Sequence, residues 1–151
     1  MRALGVDFGQ KRLGLALSDA SGTLARPWKT IPAGTTPAAS AALMASLLDT
    51  SSDPDLLDAP VDVIVVGVPR RLNGDDTDQT RSAREFAAAL RAAISLQVHE
   101  QDERLTSHEA DRLLAAREPD WRRRKEKLDA AAAAVILQDY LDQHSREDTR
   151  S

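Results

Sequence analysis

The sequence predicts an α/β fold in which a mixed five-stranded sheet carries helices on both faces. Short apolar segments near the N-terminus follow one another with only brief polar turns between them, which is typical of antiparallel strands. Farther along, strand-like segments alternate with amphipathic segments of helical length, which is typical of parallel strands joined by helices. The segment VDVIVVGV at residues 61–68 is almost entirely apolar, so this strand is expected to be buried on both faces.

The first half of the chain is predicted to form three strands and one helix. Residues 3–8 and 13–18 are apolar runs separated by a polar turn, and they predict a hairpin. Residues 24–31 predict a weaker third strand, because Pro27 interrupts its hydrogen bonding. A helix is predicted to open at residues 35–37, since apolar residues recur after it at helical spacing.

The second half of the chain is predicted to alternate strands with helices. Residues 61–68 and 96–101 predict strands, and residues 81–94 predict a helix with apolar side chains along one side. A capping box at residues 106–109 predicts a helix that runs to about residue 117. The last helix is predicted at residues 129–143. The polar segments between these elements are predicted to be loops: residues 50–60, 69–80 and 118–127.

Composition and charge limit the classes to which the protein can belong. The 151 residues suit one domain, predicted at residues 1–143, with a flexible polar tail at residues 144–151. The absence of cysteine excludes a disulfide framework, a thiolate zinc site and a cysteine nucleophile. No stretch reaches the ~18 apolar residues that span a bilayer and no signal peptide is evident, so we expect a cytoplasmic protein without a membrane partner. The net charge of −4 argues against binding nucleic acid unless a metal ion reverses the local field.

Three acidic residues stand where chemistry is possible, although each also has a structural explanation. Asp7 lies in an apolar strand between Gly5 and Gly9, where an unpaired charge costs free energy. A metal ion or a phosphate group would explain this aspartate, and so would a role in capping a turn. Glu103 follows a predicted strand, where ligand sites gather in open sheets, but charged strand-to-helix turns are also common. Asp129 begins the last helix, where the helix dipole alone favours an acid.

Taken together, the three acids predict a metal site. Two or three carboxylate oxygens together with water suit the coordination of Mg²⁺ or Mn²⁺. Such ions can activate a water molecule and stabilise the leaving oxygen when a phosphodiester bond is cut. We therefore expect Asp7 and Glu103 to bind metal and orient the attacking water, and Asp129 to complete a second ion site.

Four segments of the chain resemble the conserved blocks of one protein family. They read LGVDFGQKRLGLALSD, VIVVGVPRRLNG, DERLTSHEA and KLDAAAAAVILQDYLD, and together they cover essentially residues 2–142. On these segments the chain resembles the YqgF family, whose members are described as Holliday junction resolvases or pre-16S ribosomal RNA nucleases. The resemblance implies a RuvC-like, ribonuclease H-like fold with Asp7, Glu103 and Asp129 as the metal-binding acids. It also implies Asp102 as the neighbour that could substitute for Glu103.

One position departs from the pattern of the RuvC resolvases. Gly67 ends the buried strand at the place where those resolvases carry an acid. The second acid is therefore expected from the following strand, as Glu103.

Basic residues near the acids predict contacts with nucleic acid. Lys11 and Arg12 follow the Asp7 strand and could contact phosphate, although a solvated turn explains them equally well. The segment from Trp121 to Lys125 could track a phosphate backbone and stack on a base, but an ordinary solvated charge run explains it equally well. The full predicted nucleic-acid-binding set is Lys11, Arg12, Arg104, Trp121, Arg122, Arg123, Arg124 and Lys125.

The favoured hypothesis is a nuclease that uses Mg²⁺ or Mn²⁺ and processes the 5′ end of pre-16S ribosomal RNA. Its partner would be structured RNA, or branched DNA if the protein is instead a Holliday junction resolvase. A resolvase cuts two opposed strands and needs a two-fold dimer, whereas a trimming nuclease can act as a monomer or weak homodimer. Two other classes stay open, namely a non-catalytic nucleic-acid-binding module and an actin-like ATPase or sugar kinase, for which the chain is short.

Overall fold

One sheet and four helices make up the described part of the computed structural model, which is residues 1–50, 53–58, 60–71, 73–103 and 121–150. The strands are β1 (Ala3–Phe8), β2 (Arg12–Ser18), β3 (Ala25–Pro32), β4 (Val63–Pro69) and β5 (Gln97–Glu103). The helices are α1 (Pro37–Thr50), α2 (Pro54–Asp58), α3 (Asp78–Ala93) and α4 (Trp121–Arg150).

The sheet is mixed, with its strands in the order β3-β2-β1-β4-β5. Short turns join β1, β2 and β3, so these strands pair antiparallel, whereas β4 runs parallel to β1 and β5 runs parallel to β4. Every residue of β4 from Val63 to Val68 is buried, as its apolar sequence predicted. The prediction of an α/β fold with a five-stranded mixed sheet and helices on both faces is confirmed.

The sheet has two different faces, because side chains alternate along each strand. On one face, Leu4 of β1 packs in the core cluster that includes Met44 of α1 and residues of α3. On the other face, Ala3 of β1 packs in a cluster with Leu137 of α4. We call these the α1–α3 face and the α4 face. Asp7 lies an even number of residues after Ala3, so its side chain belongs to the α4 face.

The last helix is longer than the sequence analysis predicted. It begins at Trp121 and continues to Arg150, so the predicted loop at residues 118–127 is wrong from residue 121 onward, and the predicted helix end at residue 143 is also wrong. The segment WRRRKEK consists mostly of Arg, Lys and Glu, which are good helix formers, and the loop was predicted there only because Pro119 lies at the start of the segment 118–127. The predicted flexibility of residues 144–151 stays a prediction.

The third helix begins earlier than predicted, at Asp78 instead of residue 81. Thr77 is its N-cap: the Thr77 side chain accepts a hydrogen bond from the backbone N–H of Thr80, and the Thr80 side chain accepts one from Thr77. This reciprocal pair is a capping box in which threonine replaces the usual Glu or Gln, so the sequence pattern did not reveal it. The short helix α2 lies within the predicted loop at residues 50–60.

The fifth strand also extends farther than predicted. It ends at Glu103 instead of at residue 101, so Glu103 is a strand residue and not part of a turn. The predicted capping box at residues 106–109 and its helix to about residue 117 lie outside the described residues. Among the helices of the described ranges, none has both the length and the apolar character needed to cross a bilayer.

Candidate active site

The register of the parallel strands brings Asp7 and Glu103 to one edge of the sheet. β1, β4 and β5 run in the same direction, so their carboxyl ends share that edge. β1 pairs with β4 as far as Val66, and β4 pairs with β5 as far as Glu103, which places Gly67 of β4 between the two acids. A Cβ atom added at Gly67 would lie 3.0 Å from Glu103 Oε2. Glycine at this position therefore leaves room for the Glu103 carboxyl group.

A small cavity of about 200 Å³ opens between the two acids. Asp7 and Glu103 both line it, together with Gln10 and with Gln79 and Ser82 from the first turns of α3. At about 30 Å³ per water molecule, the cavity can hold several waters or a phosphate group. Its lining combines two carboxyl groups with neutral hydrogen-bonding side chains, which is a chemistry suited to a cation and to oxygen-rich ligands.

Both carboxyl groups are held in surroundings that disfavour negative charge. Glu103 is only 7% exposed. Burial, followed by the negative charges of Glu103 and then Asp129, raises the pKa of Asp7 well above its usual range. Burial, followed by the negative charge of Asp139, raises the pKa of Glu103 to about 7. Buried acids that repel one another in this way favour the binding of a cation. The cation neutralises negative charge that no basic group among the described residues lining the cavity neutralises.

Asp129 lies beside the site, but its carboxylate is bonded to a basic residue. Arg12 Nε lies 2.9 Å from Asp129 Oδ2, and both side chains are about one-third exposed. The backbone of Asp129 packs tightly on β2, since a Cβ atom added at Gly14 would lie 2.0 Å from the Asp129 carbonyl oxygen. Gly14 is the cross-strand partner of Asp7, so this close packing is what brings Asp129 near enough to act on Asp7 electrostatically.

The pair formed by Asp7 and Glu103 fits a divalent cation, although a three-ligand site is not assembled. No group of three or more acidic or histidine side chains is arranged to hold a metal ion within the part of the chain that the structure describes. Mg²⁺ is commonly held by one or two carboxylates, with waters and substrate phosphates as its other ligands. Two hard oxygen donors facing one cavity meet that need, whereas Asp129 accepts a hydrogen bond from Arg12 through its Oδ2 atom.

The structure does not bring Asp102 to the acid pair. Asp102 and Glu103 are consecutive residues of β5, so their side chains point to opposite faces of the sheet. Asp102 is about half exposed and forms an ion pair with Arg70, with 2.8 Å between Asp102 Oδ1 and Arg70 Nε. Arg70 in turn lies 3.7 Å from Asp76, so this acid belongs to a separate charged group.

Asp139 of α4 is an acidic residue near the site that was not predicted from the sequence, and the neutral lining residues Gln10, Gln79 and Ser82 were not predicted either. Asp139 lies on an exposed position of the helix, and its charge adds to the rise in the pKa of Glu103. Asp139 stands ten residues after Asp129 in a helix with several acids, and nothing in the sequence separates it from Asp142. Its nearness to Glu103 follows only from how α4 lies across the sheet.

The predicted nucleic-acid-binding residues lie in three parts of the chain, and the described residues include two of them. Lys11 and Arg12 lie at the turn between β1 and β2, where Lys11 is exposed and Arg12 is partly buried. Arg104 lies outside the described residues. The remaining five residues lie in the first turns of α4, four to eight positions before Asp129. Since a helix rises about 1.5 Å per residue, they are about 6–12 Å from Asp129 along the helix axis. They are Trp121, Arg122, Arg123, Arg124 and Lys125.

The chain is similar to proteins of one bacterial family over nearly its whole length. A family model described as "RuvX: Holliday junction resolvase" matches residues 1–143. A relative from Pelotomaculum thermopropionicum is 37% identical over 146 residues, which are 97% of this chain and 90% of the relative. A relative from Koribacter versatilis is 40% identical over 141 residues, which are 93% of this chain and 86% of the relative. Both relatives carry the name "Putative pre-16S rRNA nuclease".

Solved structures of resolvases share the fold. The chain matches RuvC of T. thermophilus, in complex with a Holliday junction substrate, with a TM-score of 0.52 and 15% identity over 96% of each chain. It matches the fowlpox virus Holliday junction resolvase with a TM-score of 0.53 and 12% identity over 95% of this chain and 99% of that one. These likenesses show a RuvC-like, ribonuclease H-like fold. The family match and the close relatives together show that the chain belongs to the RuvX family, the same family as YqgF.

Proposed function

We propose that the chain is a nuclease that uses Mg²⁺ or Mn²⁺ to hydrolyse phosphodiester bonds, and that it processes the 5′ end of pre-16S ribosomal RNA. The observation that carries the proposal is the pair of acids, Asp7 and Glu103, that lines one cavity at the carboxyl edge of the sheet. The family description supports the nuclease class, and the names of the relatives support ribosomal RNA as the substrate. The proposal makes structured RNA the partner and the cytoplasm the place of action.

In this proposal the acid pair holds the cation at the ends of β1 and β5. When bound, the cation would supply a Lewis acid for the phosphate and lower the pKa of a water nucleophile. Its positive charge also favours the ionised forms of Asp7 and Glu103, which burial alone disfavours. Gln79 and Ser82 line the same cavity and offer hydrogen bonds to substrate oxygens or to water. Lys11 is exposed nearby and attracts the phosphate backbone.

Asp129 is the third acid in the proposed mechanism, and Arg12 regulates its availability. The Arg12 guanidinium donates a hydrogen bond to Asp129 at 2.9 Å. A phosphate group is also a strong partner for a guanidinium, because it can accept two parallel hydrogen bonds. We propose that a substrate phosphate takes over Arg12 and frees the Asp129 carboxylate, which can then join Asp7 and Glu103.

Branched DNA is the second candidate substrate. The family description names Holliday junction resolution, and the structural relative from T. thermophilus was solved with a Holliday junction. A resolvase would need a two-fold dimer to cut two opposed strands, whereas a nuclease that trims ribosomal RNA can act as a monomer or weak homodimer. The oligomeric state in solution therefore bears directly on the choice between the two substrates.

A cleavage panel tests the proposal. Purified protein with Mg²⁺ or Mn²⁺ is incubated with a precursor RNA that spans the 5′ end of 16S ribosomal RNA, and separately with a four-way DNA junction. We expect the wild type to cut the RNA and Asp7→Asn to leave it intact. Asp49→Asn removes an exposed aspartate of α1 and is the matched control.

The other outcomes of the panel separate the alternatives. If the junction is cut at opposed strands and the RNA is not, branched DNA replaces ribosomal RNA as the substrate. If the wild type binds both nucleic acids and cuts neither with either cation, the chain is a non-catalytic binding module and the nuclease proposal is wrong.

A further inference from the structure

A second cavity, of about 640 Å³, opens between the edge strand β3 and helix α4. The residues of β3 from Pro27 to Pro32 form one wall, and Ala130 and Ala131 of α4 form another. Lys11 and Arg12 close it on the side nearer the acid pair. The cavity is about three times as large as the one between Asp7 and Glu103, and it is wide enough for a small organic group.

The lining of this cavity combines positive charge with apolar surface. Lys11, Arg12 and Lys29 line it, and no carboxylate is among the described residues that do so. Lys29 and Arg12 each form an ion pair with an acid outside the lining, at 2.8 Å and 2.9 Å, which leaves Lys11 as the exposed cation. The apolar residues of the wall are Pro27, Trp28, Ile31, Pro32, Ala130 and Ala131. A nucleotide has matching chemistry, because the flat faces of its base stack on apolar surface while its phosphate is anionic.

The form of β3 argues against a peptide strand as the occupant. Edge strands can accept an added strand through their free backbone groups. Pro27 and Pro32 lie in β3 and lack the N–H groups that such a strand would use. Trp28 is an extra residue in the pairing of β3 with β2, since Leu15 pairs with Lys29 and Ala16 pairs with Pro27. A bulge of this kind bends the strand and interrupts a regular edge.

The cavity connects with the acid pair along the protein surface. Lys11 also lines a third cavity, of about 620 Å³, which includes Phe8, Gln10 and Ser82. The same three residues line the cavity between Asp7 and Glu103. The three cavities therefore follow one another along shared walls, from β3 past Lys11 to the carboxyl edge of the sheet. An extended strand of nucleic acid could lie along this course.

We propose that the cavity between β3 and α4 binds the base and ribose of a nucleotide in a single-stranded stretch of the substrate, while the backbone passes over Lys11 to the acid pair. The inference rests on the proposed nuclease function, and it adds a site that holds the substrate away from the bond that is cut. The apolar wall contacts the flat face that every base has, so the site accepts any base that fits.

Binding of a short single-stranded RNA tests the inference directly. The RNA carries a fluorophore, and its anisotropy is measured with full-length protein that carries Asp7→Asn, so that the probe stays intact. Adding Ala131→Glu places a negative charge on the cavity wall and is expected to weaken binding about tenfold or more. Gln143→Glu makes the same charge change at an exposed position of the same helix and is expected to alter binding less than about twofold.

A second probe asks whether the cavity holds a base or only attracts phosphate. The affinities of RNAs with one abasic position each are compared with the affinity of the intact RNA. The comparison is made for the Asp7→Asn protein and for a protein that also carries Ala131→Leu, which narrows the cavity without adding charge. One abasic position is expected to weaken binding severalfold on the first protein and to have little further effect on the second. Equal binding of all abasic probes, or equal effects of Ala131→Glu and Gln143→Glu, would overturn the inference.

These outcomes are independent of cleavage. If the wild type cuts RNA but the cavity variants bind as the control does, the nucleotide site is wrong and the nuclease proposal stands. If the cavity variants lose binding but the wild type cuts no nucleic acid with Mg²⁺ or Mn²⁺, the site stands and the nuclease proposal fails.

Discussion

The two faces of the sheet are packed in opposite ways. On the α1–α3 face, large side chains such as Leu4 and Phe86 fill the space between the strands and the helices. On the α4 face, the strands present Gly5, Gly14 and Gly67, and a Cβ atom at each of them would lie within 3.0 Å of an atom of α4. Packing on the α1–α3 face therefore depends on large side chains that fill the space, whereas packing on the α4 face depends on glycines that let the helix come close to the strands.

The two faces therefore contribute differently to the stability of the fold and to the chemistry of the candidate site. The α1–α3 face removes much apolar surface from water, which is the main favourable term in folding. The α4 face lets a helix approach the strands closely, and this approach gathers Asp7, Glu103 and Asp129 in one region at the cost of mutual repulsion. A change on the first face should alter the free energy of unfolding alone, whereas a change on the second should also alter cation binding and cleavage.

The largest expected effect is that of Asp7→Asn on cleavage. We expect the rate to fall about a thousandfold or more, because the cation would supply several kcal/mol of transition-state stabilisation and would lose one of the carboxylates that hold it. Chemical denaturation should show a free energy of unfolding that is unchanged or higher, since a buried repulsive charge is removed. A variant that unfolds at much lower denaturant would mean that Asp7 has a structural role.

Large and small residues should respond differently on the two faces. Met44→Ala on the α1–α3 face is expected to lower the free energy of unfolding by about 2–5 kcal/mol and to leave the cleavage rate per folded molecule unchanged. Gly14→Ala is expected to cost about 1–3 kcal/mol and also to slow cleavage about tenfold or more, because its Cβ would displace the backbone of Asp129. Denaturant titration and single-turnover cleavage measure both. If Gly14→Ala lowers the free energy of unfolding but leaves the cleavage rate unchanged, the close packing of α4 on β2 does not position the acids of the site.

The acid pair should make stability depend on pH. The pKa of Glu103 rises from an ordinary value of 4.5 to about 7 in the folded state, so folding favours its protonated form. The resulting stabilisation is present below about pH 4.5 and is lost as pH rises through about 7. Between about pH 5 and about pH 8, without divalent cation, the wild type should lose on the order of 2 kcal/mol relative to Glu103→Gln. Parallel pH profiles for the two proteins, measured by denaturant titration, would contradict this account.

The smallest expected effect is that of Asp102→Asn. Asp102 forms an ion pair with Arg70 and is half exposed, so its loss should change cleavage less than about threefold and stability by less than about 1 kcal/mol. Glu103→Gln, at the next position, should slow cleavage about a hundredfold or more. Cleavage rates for the two variants side by side settle which acid of β5 serves the site. A reversed order would place Asp102 at the cation.

The sheet was largely predictable, because strand periodicity is a local property of the sequence. The apolar runs in β1, β2 and β4 predicted strands close to those observed. The N-terminal part of α4 was not predicted, since the charged segment WRRRKEK is compatible with both a loop and a helix. The choice depends on what lies against the segment, which the local pattern does not contain.

The two acids of the candidate site were predictable from the sequence, but their surroundings were only partly so. Asp7 and Glu103 follow from strand ends, and their meeting follows from parallel pairing. The choice between Asp102 and Glu103 depends on β5 extending as a regular strand through Glu103. Side chains alternate between the two faces of the sheet, so a shift of the strand by one residue would place Asp102 on the face of Asp7 instead of Glu103. The ion pair between Arg12 and Asp129 joins residues far apart in the chain, and no sequence pattern foretold it.

Calorimetric titration of Mn²⁺ near pH 8 into the wild type, Asp7→Asn, Glu103→Gln and the control Asp49→Asn most directly tests whether the acid pair holds a divalent cation. We expect the wild type and Asp49→Asn to bind Mn²⁺ with the same affinity. Asp7→Asn and Glu103→Gln should each bind it about tenfold more weakly or worse, because each lacks one of the two carboxylates. Equal affinities for all four proteins would contradict the central claim.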